Sequence, residues 1–574
     1  MKTKRRIAII GGGPSGLFLF KRLLESGEKD CEVEIFERKN ILGAGMPYST
    51  EGANDEHITN VSGNETPELV SSVVDWLHTV PAATLERFNI DINSFNDYKV
   101  LPRLLFGQYL TAQFELLLKR ATKLNIETTV HYESNVVDIE YDSENKKVWL
   151  FTATEKIKFD ELIICTGHSW PSRFEGKYKG CFDSPYPPKK LEIKVNHPIA
   201  IRGSSLTAID AIRTLARNNG SFEWNANGTM SYVVNKESEN FKIIMHSREG
   251  LLPAVRFHLE DSHLNNDSLL TTEEINAHKE NNDSFISLDF IFQKNFKEIF
   301  IEKDPEFYTR IKDLTIEEFV DEMMRLRLEV DPFSLLKGEY AEAEKSIKRQ
   351  ESIYWKEMLA VLSFAMNHPA KYFSAEDMQR LQSVLMPLIS IIIAFVPQKS
   401  CVELIALYHS GILSIVSVGY DSEVIPQEEG IIYTYTDIEN KEYSDYYKTF
   451  VDCVGQPHLS YDDFPFESLK KQKIISRARL RFQNENVGKL AFTNGRKDIE
   501  VDTQGNYYLN VAGIGINDNF QILDNYGAYN DSIFIMAVPF IGGFNPDYSG
   551  LDFCEATSLK IVESIFLKDR SNYL

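Results

Sequence analysis

Cysteine is scarce and scattered in this chain of 574 residues: Cys31, Cys165, Cys181, Cys401, Cys453 and Cys554, with no Cys-x-x-Cys pair. That spacing excludes the usual dithiol of a disulfide reductase and the usual zinc ribbon. Such sparse use fits a reducing compartment. The 12 histidines show no His-Glu-x-x-His or other close ligand spacing, so no metal is expected. No Gly-x-Ser-x-Gly is present, which removes the case for an esterase elbow. Long apolar runs are missing too. The longest, Val384 to Val396, is broken by Pro387 and falls short of a membrane span. The basic start Met1-Lys-Thr-Lys-Arg-Arg6 is followed only by Ile7-Ala-Ile-Ile10, too short for a signal h-region. A soluble, cytoplasmic protein is the expectation. Positive charge is in deficit as well, with 62 Lys plus Arg against 84 Asp plus Glu and a net charge of −22. That argues against wrapping around nucleic acid, although a local pocket can still bind an anion.

Hydrophobic residues make up 43%, enough for folded cores, and the length calls for more than one of them. Ile7-Ala-Ile-Ile10 reads as a buried parallel strand. It runs into Gly11-Gly-Gly13-Pro14-Ser15-Gly16 and then a helix with Leu17, Phe20, Leu23 and Leu24 on its apolar face. In Gly-x-Gly-x-x-Gly the first glycine makes the tight turn, the second lets backbone approach a pyrophosphate, and the third packs helix on strand. The helix N-terminus then faces the phosphates. A second strand, Glu32 to Glu37, ends in an acid about twenty residues on, where a carboxylate accepts hydrogen bonds from a ribose.

The glycine-rich segment Gly43-Ala-Gly45-Met46-Pro-Tyr48 favours FAD over NAD at this first site. Asn135 to Glu140 and Lys147 to Phe151 read as a hairpin, and Phe159 to Gly167 as a buried strand ending in Thr166-Gly167. These residues, with Asn60-Val61, Leu101-Pro-Arg103, Gly107, Tyr109 and Cys165-Thr-Gly-His168, resemble bacterial FAD/NAD(P)-binding flavoproteins with two dinucleotide-binding domains. Those proteins are distant relatives of class B flavin monooxygenases and amino-acid N-hydroxylases. The resemblance spans most of the chain and thins between about residues 256 and 400. Residues and resemblance together make Gly11, Gly13, Pro14, Ser15, Gly16, Glu37, Arg38, Gly45, Met46, Tyr48, Asn60, Arg103, Val137, Thr166, Gly167 and Gly550 the candidate FAD contacts. Arg103 is open to two readings, a holder of phosphate or substrate acid, or a surface salt bridge.

A second strand, turn and helix begins at His197-Pro-Ile-Ala-Ile-Arg-Gly203 and continues through Ser204-Ser205-Leu206-Thr207-Ala208. The glycine pattern is degraded here, with Ser205 at the second position and Ala208 at the third. The next strand, Phe241 to His246, is followed by Ser247-Arg248, a pair suited to the 2′-phosphate of NADP. Gly203, Ser204, Ser205, Leu206, Thr207, Ser247 and Arg248 are therefore candidate NADP contacts, with NADPH favoured over NADH if the site is live. The alternative is a nucleotide-type fold that no longer binds nicotinamide.

Phe450 to Gly455 reads as a strand returning the chain to the first domain; Ile412 to Val418 and Ile431 to Thr436 read as strands of the second. Between them, Thr271-x-x-Glu274, Thr315-x-x-Glu318 and Ser374-x-x-Asp377 are helix starts. Phe319, Met323 and Leu326 follow at helical spacing, as do Tyr354, Met358, Leu362 and Met366. Gly542 to Gly550 leads into a helix from about Leu551 to Phe566, which in the resembling family points at the flavin.

The expected fold is α/β: two Rossmann-like, three-layer dinucleotide-binding domains, the second nested in the first, with a mostly helical insert. The expected divisions are 1–190 and 456–574 for the FAD domain, 191–255 and 401–455 for the NAD(P)-like domain, and 256–400 for the insert. The resemblance implies an FAD-dependent oxidoreductase using NAD(P)H, foremost a monooxygenase of a small soluble substrate such as an amine or amino acid. A reductase without oxygen transfer and a non-catalytic FAD-binding sensor are the alternatives. No pattern names a catalytic residue. The expected partner is a small-molecule substrate, without nucleic acid or membrane, and a homo-oligomer is left open.

Overall fold

The computed structural model describes residues 4–168, 170, 172–260, 269–367, 369–437, 439–456, 458–547 and 550–571. The expected glycine-rich stretch before the last helix therefore includes two residues, 548 and 549, outside the described ones.

Two parallel sheets carry the architecture. In the first, the apolar run Arg5–Ile10 forms β1 and the glycine loop leads into helix α1, Pro14–Glu25. Strand β2, Cys31–Phe36, follows. Helix α2, Arg103–Leu124, crosses to strand β3, Glu127–His131, and strand β4 is Glu161–Ile164. The second sheet begins with β5, Cys181–Phe182. It continues with β6, Pro198–Arg202, helix α3, Leu206–Asn219, and β7, Lys242–Ser247. After a long insert come β8, Leu413–Ser417, and β9, Thr449–Asp452. The chain then returns to the first sheet with β10, Gln521–Leu523, and β11, Tyr529–Ile535, and ends in helix α4, Leu551–Ser571.

The first sheet runs β10-β11-β4-β1-β2-β3, and only the β10–β11 pair is antiparallel. The second runs β5-β9-β6-β7-β8 and is parallel throughout. Its strands thus fall between two halves of the first, so the second domain is nested. Strand β5 pairs with β9, so the second sheet starts before the expected division at residue 190. Strand β9 lies beside β6 inside the second sheet before the chain crosses back. Ile431–Thr436 forms a strand as expected, but in a separate antiparallel sheet with Glu423–Pro426 and Glu442–Tyr447. That small sheet lies against β7, where the His246 and Tyr433 rings stack at 4.3 Å.

The insert leaves at Ala254 and returns at Val396, which exchange a backbone bond of 2.9 Å, while Arg256 N–H donates to the Val396 carbonyl. The expected helix starts are present. Thr271 and Thr315 form capping boxes, and Ser374 accepts from the Asp377 N–H. Met358, Leu362 and Met366 are buried, but the other stripe is broken: Phe319 is buried and Leu326 is 59% exposed. The reason is packing. The insert presses Ile275, Phe292, Phe296 and Leu388 into the same apolar core as β1, β2 and α1, and Leu326 lies off that face. Burial of this shared core, rather than helix propensity, holds the insert on the first domain.

Candidate functional site

The glycine loops of the two domains repeat one geometry. Gly11 has φ +102° and Gly203 has φ +106°. A Cβ on Gly11 would stand 2.7 Å from the Cys165 carbonyl oxygen, and one on Gly203 would stand 2.7 Å from that of Cys453. Each first glycine therefore sits where side chains are strained and where a neighbouring strand end leaves no room. Each loop is also bonded to the next strand: Gly11 N–H to the Phe36 carbonyl at 2.9 Å, Gly203 N–H to that of His246 at 2.8 Å.

In the first domain the loop opens toward a ligand. No side chain caps α1, and Pro14 occupies its first turn. The first bond into the helix runs from Leu17 N–H to the Gly13 carbonyl. The N–H groups of Ser15 and Gly16 thus have no intrahelical acceptor, the arrangement that suits a phosphate. Gly45 crosses directly over Gly13: a Cβ on Gly13 would meet the Gly45 Cα at 3.2 Å. The Glu37 carboxylate, buried at the end of β2, accepts from the Gly12 N–H at 2.8 Å and the Lys39 N–H at 2.9 Å. It braces the loop and keeps lone pairs for a ribose. Beside Cys165, the Thr166 hydroxyl and the His168 Nδ1 are buried without a hydrogen-bond partner among the described residues. Burial holds the His168 ring below the usual histidine range, so it is neutral near pH 7. The start of α4 closes this side, with Cys554 Sγ 3.5 Å from Ser15 Oγ. An uncapped helix end, a side-chain-free cradle and orphaned polar atoms fit a dinucleotide.

The other candidates stand apart from this convergence. Met46 accepts from Ser49 through its carbonyl, and Tyr48 packs edge-on against Phe106 at 5.1 Å, with burial pushing its hydroxyl up to about 12. Arg38 is exposed and lies 3.6 Å from Glu51. Val137 is 49% exposed at the bulge of the hairpin, and Gly550 is exposed before α4. The Asn60 carbonyl accepts from the Arg256 guanidinium, which also binds Ser62 and Glu65. Burial would push Glu65 up, but Arg256 reverses this and holds it below the usual range. Of the two readings of Arg103, the structure carries a salt bridge, although between domains rather than at the surface. Its partly buried guanidinium donates to Asp210 on α3 at 2.5 Å and to the Ile58 carbonyl at 3.2 Å. With its charge already balanced, it joins the two domains.

In the second domain, helix α3 likewise has no side-chain cap at Ser205, which is exposed, while Leu206 and Thr207 form its first turn. The Ser204 hydroxyl is spent on the Leu251 carbonyl at 2.6 Å. At the end of β7 the Ser247 hydroxyl is buried without a partner among the described residues. Arg248 is exposed and lies 5.5 Å over the Tyr420 ring. A free helix end, an orphaned hydroxyl and a surface guanidinium are components of a phosphate site.

Two clusters carry no sequence signal: the joint in which Asp210 takes the Arg103 guanidinium and the Tyr186 hydroxyl while its backbone carbonyl lies 3.2 Å from His57 Nε2, and the Arg256–Glu65 pair. The partners are far apart along the chain, and no local motif marks them. Nor does any motif mark a cavity of about 260 Å³ between the insert and α4, lined on one side by Phe364 and Lys371 and on the other by Phe520, Asn545, Phe553 and Lys560.

Residues 8–169 match the family model described as FAD-NAD(P)-binding. The first domain is thus similar to FAD-NAD(P)-binding domains, and the two sheets with their paired glycine loops give the chain two domains of the dinucleotide-binding type. More particularly, residues 271–393 match the YdhS-like middle domain. Protein YdhS of Escherichia coli (strain K12) is 28% identical over 478 residues, covering 82% of this chain and 86% of that protein. Trimethylamine monooxygenase of Pelagibacter ubique is 28% identical over 171 residues, covering 28% of this chain and 36% of that protein. Among solved structures, L-lysine 6-monooxygenase from Pseudomonas syringae is 10% identical with a TM-score of 0.47, covering 97% of this chain and 98% of that one. Among the described residues, no helix is long and apolar enough to cross a membrane.

Proposed function

We propose that this chain is an FAD-dependent oxidoreductase that uses NAD(P)H, and foremost a monooxygenase of a small substrate such as an amine or amino acid. The observation that carries this reading is the duplicated glycine-loop geometry, one loop in each domain, within a chain whose first domain matches an FAD-NAD(P)-binding model. The partial likeness to trimethylamine monooxygenases supports the choice of reaction.

FAD, when bound, supplies hydride acceptance and oxygen activation. The protein's own part is binding, orientation and exclusion of water. The first turn of α1 offers N–H groups to the pyrophosphate, Glu37 takes a ribose hydroxyl, and Gly13 and Gly45 let backbone close on the cofactor. Thr166 offers a hydroxyl beside the loop. Ser247 and Arg248 would hold the 2′-phosphate of NADPH. The insert shields the first domain through its shared core.

Isotopically labelled oxygen tests the reaction type. The proposal expects one labelled atom in the product for each NADPH consumed. NADPH consumption with no oxygenated product, across small amines and amino acids, would leave a reductase instead.

A further inference from the structure

The cavity between the insert and α4 has a mixed character. Its walls carry Phe364, Phe520 and Phe553, so its body is apolar. Two lysines also line it. Lys371 is only 8% exposed and pairs with Asp518 at 2.7 Å. Lys560 has no carboxylate within ion-pair distance among the described residues, and burial followed by the nearby charge of Lys371 pulls its ammonium down to about 8. One positive charge in the cavity is therefore left over. Among the described residues, one amide donor on the lining, Asn367 Nδ2, is buried without a hydrogen-bond partner, and so is one acceptor, Asn545 Oδ1. Asn545 as a whole is 1% exposed.

A largely desolvated ammonium and a buried amide donor without partners are costly unless something completes them, and an anion completes both. The surplus is cationic, so the missing group is an anion. The space of about 260 Å³ and its phenyl walls leave room for an apolar body behind that group. We propose that the cavity binds a small carboxylate with an aromatic or branched aliphatic body, the carboxylate facing Lys560 and Asn367. Within the proposed function this favours an amino acid over a bare amine, and it rests on that reading only in calling the ligand the substrate. A bare amine cation is disfavoured there, because it would meet Lys560 and Lys371 without a free counter-charge.

The test is calorimetric titration of the flavin-loaded full chain with phenylacetate, 4-methylpentanoate, phenylacetamide and phenethylamine. At least one carboxylate is expected to saturate a single site, with phenylacetamide at least tenfold weaker than phenylacetate and no phenethylamine binding. Lys560→Met should weaken the carboxylate at least tenfold and leave the amide unchanged. Its melting temperature should not fall, since it removes an unpaired buried charge. If neither carboxylate saturates, if amide or amine binds as well, or if Lys560→Met changes nothing, the proposal is overturned. The readout is separate from flavin chemistry. A chain without flavin that still binds phenylacetate through Lys560 contradicts the proposed function alone. A flavin-loaded chain bleached by NADPH but indifferent to carboxylates contradicts the cavity assignment alone.

Discussion

Arg103, the first residue of helix α2 in the first domain, donates to the Asp210 carboxylate on helix α3 of the second at 2.5 Å. Asp210 is buried and Arg103 partly so, and Tyr186 adds a hydroxyl to the same carboxylate at 2.7 Å. Burial alone would push the Asp210 carboxyl up; the guanidinium reverses this and holds it below the usual range. The ion pair is therefore charged at neutral pH and fixes one domain on the other. Arg103→Met should destabilise by about 3–5 kcal/mol, because it leaves Asp210 charged and alone. Arg103→Met with Asp210→Leu should recover much of the loss. Denaturant midpoints of the single and double variants check this; additive losses would show that the pair is not coupled.

The cradle under Gly45 makes a sharper prediction for Gly13. A valine there would place its Cβ 3.2 Å from the Gly45 backbone and its methyl groups in the space for pyrophosphate. Gly13→Val should purify folded and colourless. A folded variant that keeps its flavin would remove the assignment of this loop.

Arg248 is the one guanidinium among the candidate NADP contacts, at the end of β7. Arg248→Ala should raise the NADPH concentration needed for flavin reduction tenfold or more, in line with loss of a charge-assisted phosphate contact. The requirement for NADH should barely change. Equal effects on both would show that Arg248 does not read the 2′-phosphate.

Glu403 is 1% exposed and accepts from Arg213 at 2.8 Å and Arg217 at 2.7 Å. Burial opposes its ionisation, but the guanidinium of Arg213 and these hydrogen bonds outweigh it and hold the carboxyl at about 2. A carboxyl depressed in the folded state contributes stability that is full above its unfolded value, near 4.3, and lost as pH falls toward 2. Glu403→Gln should therefore cost about 3–5 kcal/mol at neutral pH. The gap between variant and parent should shrink in urea melts as pH falls from 4.3 toward 2. A gap independent of pH would contradict the ionised pair.

The first glycine loop was legible because its chemistry is local: apolar strand, Gly11, Gly13, Gly16, helix and Glu37 follow one another within one short segment. Gly203 was legible for the same reason, although Ser205 and Ala208 blur the pattern. Arg103 was legible only as one of two readings, because its position in the motif says nothing about Asp210, which is brought to it by the second domain. Lys371 and Lys560 were invisible. Each reads as a solvated lysine on a helical or turn segment, and only the docking of the insert on α4 buries both at one cavity. The exposed Leu326 has the opposite cause, since helical spacing marks a stripe but not which element comes to cover it.

Electrons are expected to pass from a nucleotide to a flavin held by this chain. The direct measurement is the visible spectrum of the purified protein, followed by NADPH under nitrogen. A yellow protein that bleaches rapidly with NADPH is the predicted result. A protein that cannot take up FAD, or one whose bound FAD is reduced no faster by NADPH or NADH than free FAD is, would contradict the account.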